Sequence, residues 1–309
     1  MSSTPAPTKI VVICGPTGTG KTAAAIEIAQ AVGAVIVSAD SMQVFRYMDI
    51  GTAKPTSAER AAVTHYLIDV VDPDAAFNAQ QYVALADAVI DDYDKRKTPV
   101  LVVGGTGLYI RALRYGLFPA PKIDPRIRSV LRAEAEEKGL GGLFARLCDV
   151  DPQSAAVIHP NDRQRILRAL EVCLSSGKPF SSFLKDHGFR SERYTVCMIG
   201  LYREREALYE RIDRRVEWML DNGFLQEVEH LLQMGYSARL DSMQSLGYRH
   251  LVDFIEGRMN WNEMERTLKR DTRHYAKRQM TWFQKEKDMI WIDAHRTDAM
   301  VAVIKDFIR

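Results

Sequence analysis

Short apolar runs recur along the chain: Lys9-Ile-Val-Val-Ile-Cys14, Ala34-Val-Ile-Val-Ser38, Tyr66-Leu-Ile-Asp-Val-Val71, Pro99-Val-Leu-Val-Val103 and Thr195-Val-Cys-Met-Ile-Gly-Leu201, with a last one at Met289-Ile-Trp-Ile-Asp293. They are β-branched and apolar without strict alternation, the pattern of strands buried on both faces of a parallel sheet. Helical stretches separate the early runs, Ala23 to Gln30 after the first and Asn78 to Lys97 before the fourth. The alternation predicts an α/β fold. After Pro119-Ala-Pro121 the texture changes. Asp124-Pro125 predicts an N-cap and first turn for a helix reaching about Lys138, which Gly139 stops, and a second helix is predicted from Asn161-Asp162 to Gly177-Lys-Pro179. No strong strand signal lies between Pro121 and Arg190, so residues 123–190 read as a helical insertion. Residues 1–122 and 191–309 then form one core, helical beyond Leu201 apart from the last strand.

Charge adds a gradient to this plan. The formal net charge of the 309 residues is only +2, but residues 1–120 hold ten Lys/Arg against eleven Asp/Glu, while Arg266 to Lys287 holds eight against two. A polyanion should therefore meet the later half. Cys14, Cys148, Cys173 and Cys197 are scattered, with no C-x-x-C pair, and read as reduced thiols. Met1 to Thr8 has no apolar signal region and no run approaches the ~18 residues of a membrane span. The expectation is a cytoplasmic protein, acting as a monomer.

The most specific chemistry lies after the first run. Gly15, Pro16, Thr17, Gly18, Thr19, Gly20, Lys21 and Thr22 satisfy G-x-x-x-x-G-K-[ST] between a strand and a helix, the setting of a phosphate loop in a P-loop NTPase-like core. The glycines let backbone N–H groups close round phosphate oxygens, Lys21 adds a point charge, and the Thr22 hydroxyl is placed to ligate Mg2+. ATP and other nucleotides fit such a loop, and a merely tight strand–helix turn is the competing reading. Asp40, in Ser38-Ala-Asp-Ser-Met-Gln43, falls at the carboxyl end of the second strand, where it either touches a reacting group or caps a turn. Gly104-Gly-Thr106 ends another strand with the Thr106 hydroxyl near the same edge, and lacks the strand-end aspartate that orders magnesium in many kinases.

Two basic helix faces complete the set. Gln164, Arg165 and Arg168 share a face of the helix from Asn161, with Ile166, Leu167, Leu170 and Leu174 expected inward. Arg266, Arg270, Arg273 and Lys277 form a stripe on a late helix expected to start at Asn262, near Tyr275, Trp282 and Phe283. Either face could track a nucleic-acid backbone or simply meet solvent. The histidines, including His65, His159 and His274, show no metal-binding spacing.

In this order, the segments Gly15–Thr22, Ser38–Val44, Met48-Asp-Ile-Gly-Thr-Ala-Lys-Pro55, Leu67-Ile-Asp-Val-Val-Asp-Pro73, Gly104–Thr106, His159–Asp162, Gln164–Glu171, Gly247-Tyr-Arg249 and Lys277–Phe283 resemble the tRNA dimethylallyltransferases, or tRNA isopentenyltransferases. The resemblance implies transfer of a dimethylallyl group from dimethylallyl diphosphate to the exocyclic amine of the adenosine 3′ of the anticodon. The loop would hold the diphosphate, which accounts for the missing kinase aspartate. The resemblance further implies that Asp40 accepts the amine proton, Thr106 serves the same reacting region, and Arg215 neutralises the departing diphosphate. Asp40, Ser41, Met42 and Gln43, with Gln164, Arg165, Ile166, Leu167 and Arg168, resemble segments that touch the anticodon stem-loop of tRNA. A flipped base would enter a channel between sheet and insertion. His65-Tyr66 and Phe45-Arg-Tyr47 depart from the family pattern, and the chain stops at Arg309 without a Cys/His finger, as bacterial members do. A P-loop kinase using ATP and a nucleotide-dependent RNA-binding switch are the competing functions.

Overall fold

A computed structural model describes residues 7–118, 121, 123–188 and 191–309. Most of the Met1–Thr8 tail and part of the expected Pro119–Pro121 boundary lie outside them. Six strands, β1 (Lys9–Cys14), β2 (Val35–Ser38), β3 (His65–Tyr66), β4 (Val100–Gly104), β5 (Thr195–Tyr202) and β6 (Met289–Asp293), form one sheet in the order β3-β2-β4-β1-β5-β6. Every neighbouring pair is parallel, so all carboxyl ends share one edge. The fold is α/β with a P-loop NTPase-like sheet.

The first helices are α1 (Lys21–Val32), α2 (Ser57–Ala62), α3 (Ala79–Lys95) and α4 (Gly107–Tyr115). Next come α5 (Pro125–Lys138), α6 (Leu140–Val150), α7 (Pro152–Ala155), α8 (Arg163–Ser176) and α9 (Phe180–His187), and after β5 come α10 (Arg205–Asp221), α11 (Phe224–Gln233), α12 (Tyr248–Ile255) and α13 (Trp261–Phe283). Helix α14 (Thr297–Ile308) follows β6. Two compact units result, residues 1–114 with 193–309, and residues 115–192. The second, residues 115–192, contains helices α5 to α9, and the sequence reading placed its helical insertion over 123–190.

The lack of alternation in β1 has a direct cause. Ile10, Val12 and Cys14 enter one core with Tyr82, Ile90, Leu113 and Phe283, while Val11 and Ile13 enter another with Ala25, Ile28, Met300 and Ile304. In the helical unit, Leu131, Leu143, Leu147, Ile166 and Leu170 make a separate core. The buried Asp151 carboxylate there accepts from the backbone and hydroxyl of both Ser154 and Ser181, tying α7 to α9.

Three expectations change. The run Tyr66–Val71 is not a strand beyond Tyr66, because Leu67 and Asp69 take positive φ of 62° and 57°. The reason is Lys54, whose side chain is only 2% exposed and whose ammonium donates to Asp69 at 2.6 Å, to Asp49 at 2.7 Å and to the Phe45 carbonyl at 2.6 Å. Partial burial alone would raise the Asp69 pKa, but the hydrogen bonds from Lys54 and Arg60 outweigh it and hold the carboxyl below its ordinary value. Helix α13 starts at Trp261, one residue before the expected Asn262, because Asn260 is its cap and accepts from Glu263 N, while the Asn262 side chain is exposed. Leu174 is 36% exposed rather than inward, since the face of α8 buried in the core is spent on Ile166, Ala169, Leu170 and Cys173.

Loss of this buried cation leaves the Phe45 carbonyl and Asp49 without their donor and Asp69 with Arg60 alone. Lys54→Met should lower the unfolding free energy by about 3 kcal/mol in urea titration; a change below about 0.5 kcal/mol, the level of an exposed substitution, would show that Lys54 does not hold the 45–69 fold.

Candidate active site

The carboxyl edge of β1 opens into Gly15–Gly20, and α1 begins at Lys21. Gly15 has φ 147° and lies so close to β5 that a Cβ would sit 2.6 Å from the Leu201 carbonyl oxygen, so no other residue fits. Thr19 is fully buried and its hydroxyl donates to the Pro16 carbonyl, so it braces the loop from within.

Four cations grip this loop. Lys21 donates to Pro16 O at 2.9 Å and Arg215, on α10, to the Thr17 hydroxyl at 3.2 Å. Arg203, just past β5, donates to Thr19 O at 2.8 Å, and Arg211, one turn before Arg215, to Gly18 O at 3.1 Å. Burial drives the Lys21 pKa down to about 8, with the Asp40 charge opposing and Arg215 assisting. Burial likewise lowers the Arg215 pKa, with Asp40 again opposing. Such crowding of like charge favours an anion on the loop.

Asp40 follows β2 and caps the turn after it. Its Oδ1 accepts from the backbone N–H of Met42 at 2.8 Å and of Gln43 at 3.3 Å, as a turn cap would. No hydrogen bond among the described residues engages Oδ2. The charge of the same carboxylate is felt by Lys21 and Arg215, and it reaches the buried Tyr109 and the half-buried Tyr275, whose phenol pKa values are both pushed up chiefly by burial. Thr106 stands beside it, its hydroxyl accepting from Ser41 N at 3.0 Å and its backbone N–H donating to Ala39 O at 3.1 Å. The absence of a strand-end acid is also steric, because a Cβ on Gly104 would lie 2.1 Å from Ala39 O.

The remaining candidates fall into two groups. Ser41 and Met42 are half-buried beside Asp40, but the Gln43 amide is spent inside the protein, accepting from the Ser38 hydroxyl and donating to the Ala53 carbonyl. In the helical unit, Gln164 and Arg165 are exposed, and Arg168 is half-exposed beside Glu171. Ile166 is completely buried and Leu167 packs against the same core, so these two hold the helix rather than face solvent. Of the late stripe, Arg266, Arg270 and Lys277 are exposed, Arg270 reaching Asp271, while Arg273 is taken up by both oxygens of Asp213 at 2.6 and 2.7 Å. Phe283 lies in the sheet core.

Sequence reasoning missed Arg203, Arg211 and Gln279 as site residues. Arg203 directly follows a strand at the ligand edge, and Arg211 precedes Arg215 by one helical turn, so both carried a signal. Gln279 carried none. Among the described residues no three His, Cys, Asp or Glu side chains cluster to hold a metal, and Thr22, half-buried at the second position of α1, is the loop's hydroxyl for one.

Because Lys21 is half-neutral near pH 8, an anion that binds it should restore its proton. Calorimetry of inorganic diphosphate binding at about pH 8 in buffers of different ionisation enthalpy should show net proton uptake that Lys21→Met abolishes. Equal uptake in the variant would place the perturbed group elsewhere.

Comparison with known proteins gives a consistent set. The family model described as IPP transferase matches residues 43–286. A tRNA dimethylallyltransferase of Syntrophobacter fumaroxidans is 51% identical over 295 residues, covering 96% of this chain and 86% of that protein. One from Desulfatibacillum aliphaticivorans is 48% identical over 98% of this chain and 99% of its own. The full-length tRNA isopentenylpyrophosphate transferase of Bacillus halodurans superposes with a TM-score of 0.72 at 36% identity, covering 97% and 96% of the two chains. A eukaryotic dimethylallyltransferase acting on tRNA superposes with a TM-score of 0.82 at 27% identity, covering 97% of this chain and 79% of that one.

Proposed function

The chain belongs to the IPP transferase family, and on that premise we propose how its residues move a dimethylallyl group onto tRNA. It is a prenyltransferase that modifies tRNA. The donor in this proposal is dimethylallyl diphosphate and the acceptor the exocyclic amine of the adenosine 3′ of the anticodon. The observation that carries the reading is one carboxylate, Asp40, facing a loop held by Lys21, Arg203, Arg211 and Arg215, with Thr106 hydrogen-bonded beside it.

Each group has a task in the transfer. The allylic C–O bond breaks, the electron pair leaves with diphosphate, and the amine nitrogen forms the new bond to carbon. Lys21 and Arg215 stabilise the negative charge as it grows on the leaving group. The Asp40 carboxylate takes the amine proton, its cap hydrogen bonds through Oδ1 fixing where Oδ2 points. Thr106 orients the reacting region from the neighbouring strand end. Magnesium fits the Thr22 hydroxyl and would otherwise be held by substrate phosphates, since the loop lacks a carboxylate cage. It would add positive charge at the leaving diphosphate.

The exposed Gln164 and Arg165, with Arg168, offer donors to a phosphate backbone, and the exposed stripe cations do the same from α13. We read the enzyme as a cytoplasmic monomer, in keeping with four free cysteines and with no described helix long and apolar enough to cross a membrane.

Incubation of the protein with unmodified tRNA, magnesium and labelled dimethylallyl diphosphate should put label on tRNA, and a parallel reaction with labelled ATP should not. Label moving only from ATP would mean a kinase, and tRNA binding with neither transfer a switch. Asp40→Ala should keep tRNA affinity and lose about 10²–10⁴-fold in turnover; full turnover would remove Asp40 from the chemistry. Replacing Arg266, Arg270 and Lys277 together with glutamine should flatten the salt dependence of tRNA binding, and an unchanged slope would return the stripe to solvent.

A further inference from the structure

Gln279 is a neutral side chain in the most basic helix of the protein, only 7% exposed, and both ends of its amide are used. Its Oε1 accepts from the backbone N–H of Thr17, in the phosphate loop, at 2.8 Å. Its Nε2 donates to the carbonyl of Gly105, one residue before Thr106, at 2.9 Å. Gly105 is required by that contact, since a Cβ there would meet Nε2 at 2.3 Å. One planar group thus spans the carboxyl ends of β1 and β4, and the two partners fix which way it faces.

The neighbours on α13 are committed to the same loops. Tyr275, one turn earlier, is half-buried where it feels the Asp40 charge, and Trp282, three residues later, lies against Gly107, where a Cβ would come within 2.2 Å of its indole nitrogen. Phe283 anchors the helix in the sheet core. The helix face that carries Gln279 is therefore fixed on both sides, and the amide cannot follow one loop without pulling the other.

The geometry points to Gln279 as a positioning residue that sets the distance between the loop holding the prenyl donor and the Asp40–Thr106 edge that receives the acceptor amine. This rests on the transfer reading above. Thr17 is the residue whose hydroxyl Arg215 holds, so the amide bridge also sets where Arg215 meets the leaving diphosphate. Gln279 touches no reacting atom in this account. Its effect is on alignment, where misplacement by about 1 Å can cost up to about 100-fold.

A glutamate at this position separates alignment from simple support. Protonated, its carbonyl accepts from Thr17 N–H and its hydroxyl donates to Gly105 O, as the amide does. Ionised, it sets an oxygen against the Gly105 carbonyl and adds negative charge beside the loop. The experiment measures kcat and KM for dimethylallyl diphosphate and for tRNA, as a ratio to wild type at each pH, with melting temperatures recorded in the same buffers. Gln279→Glu should lose about 10–100-fold in kcat at alkaline pH and recover as the glutamate gains its proton, with the tRNA KM unmoved. Gln279→Met, which keeps the bulk but cannot bridge, should lose a similar factor in kcat at every pH without a matching fall in melting temperature, and it decides the matter if the glutamate variant does not fold. Wild-type kcat in both variants would overturn the inference, as would a Gln279→Glu ratio that ignores pH and falls only as far as melting temperature falls. Failure of the wild-type protein to prenylate tRNA would instead overturn the function itself.

Discussion

Four basic side chains are held against a six-residue loop, and three carbonyls and one hydroxyl of that same loop are what hold them. Lys21 takes Pro16 O, Arg211 takes Gly18 O and Arg203 takes Thr19 O, while Arg215 takes the Thr17 hydroxyl. Like charges packed this closely repel, and the cost shows in the lowered pKa values of Lys21 and Arg215, for which burial is the leading cause. The arrangement stands because each donor has an acceptor and because Asp40 places one negative charge opposite. The same crowding of positive charge favours an anion on the loop, which would supply the charge that the protein withholds.

The constraint reaches well beyond the loop. Arg203 must follow β5 and Arg211 and Arg215 must share a face of α10, so the sheet's second half has to be completed by chain that arrives after residue 193. The helices that follow are then locked to the segment after β2 by charge rather than by strand pairing. Glu227 on α11 accepts from the backbone N–H groups of Asp49, Ile50 and Gly51 and from the Tyr248 hydroxyl, while Lys54 draws Asp49 and Asp69 together. Around these contacts Phe224, Tyr248 and Met48 form a further core. The segments Met48–Pro55 and Gly247–Arg249 are in this light the frame that steadies Asp40 and Gln43.

Much of this was legible in the chain. The strands β1, β2, β4 and β5 were visible because both faces of the sheet are covered there, which leaves unbroken apolar runs, and the half-exposed edge strand β6 was visible through its apolar residues alone. Helices α5 and α8 were visible through Asp124-Pro125, Asp162 and the glycines that end them. The phosphate loop was readable because its backbone demands glycine at fixed positions. The third run failed as a strand for a reason no apolar pattern contains, since Asp69 turns to meet a lysine fifteen residues earlier. The stripe on α13 was equally misleading: periodicity placed Arg273 on the basic face, but only the approach of α10 brought Asp213 within reach of it.

By itself the sequence determined the parallel sheet, the phosphate loop and the family, because these depend on local chemistry: β-branched runs, glycine at special backbone angles, and motifs contiguous along the chain. Tertiary structure alone decided which cations reach the loop, that Asp40 caps with one oxygen and leaves the other to the site, and that Gln279 bridges two strand ends. Those are contacts between groups up to 262 residues apart, and a hydrogen bond over such separation leaves no periodic trace, because it depends on where packing brings two elements together and not on what either contains.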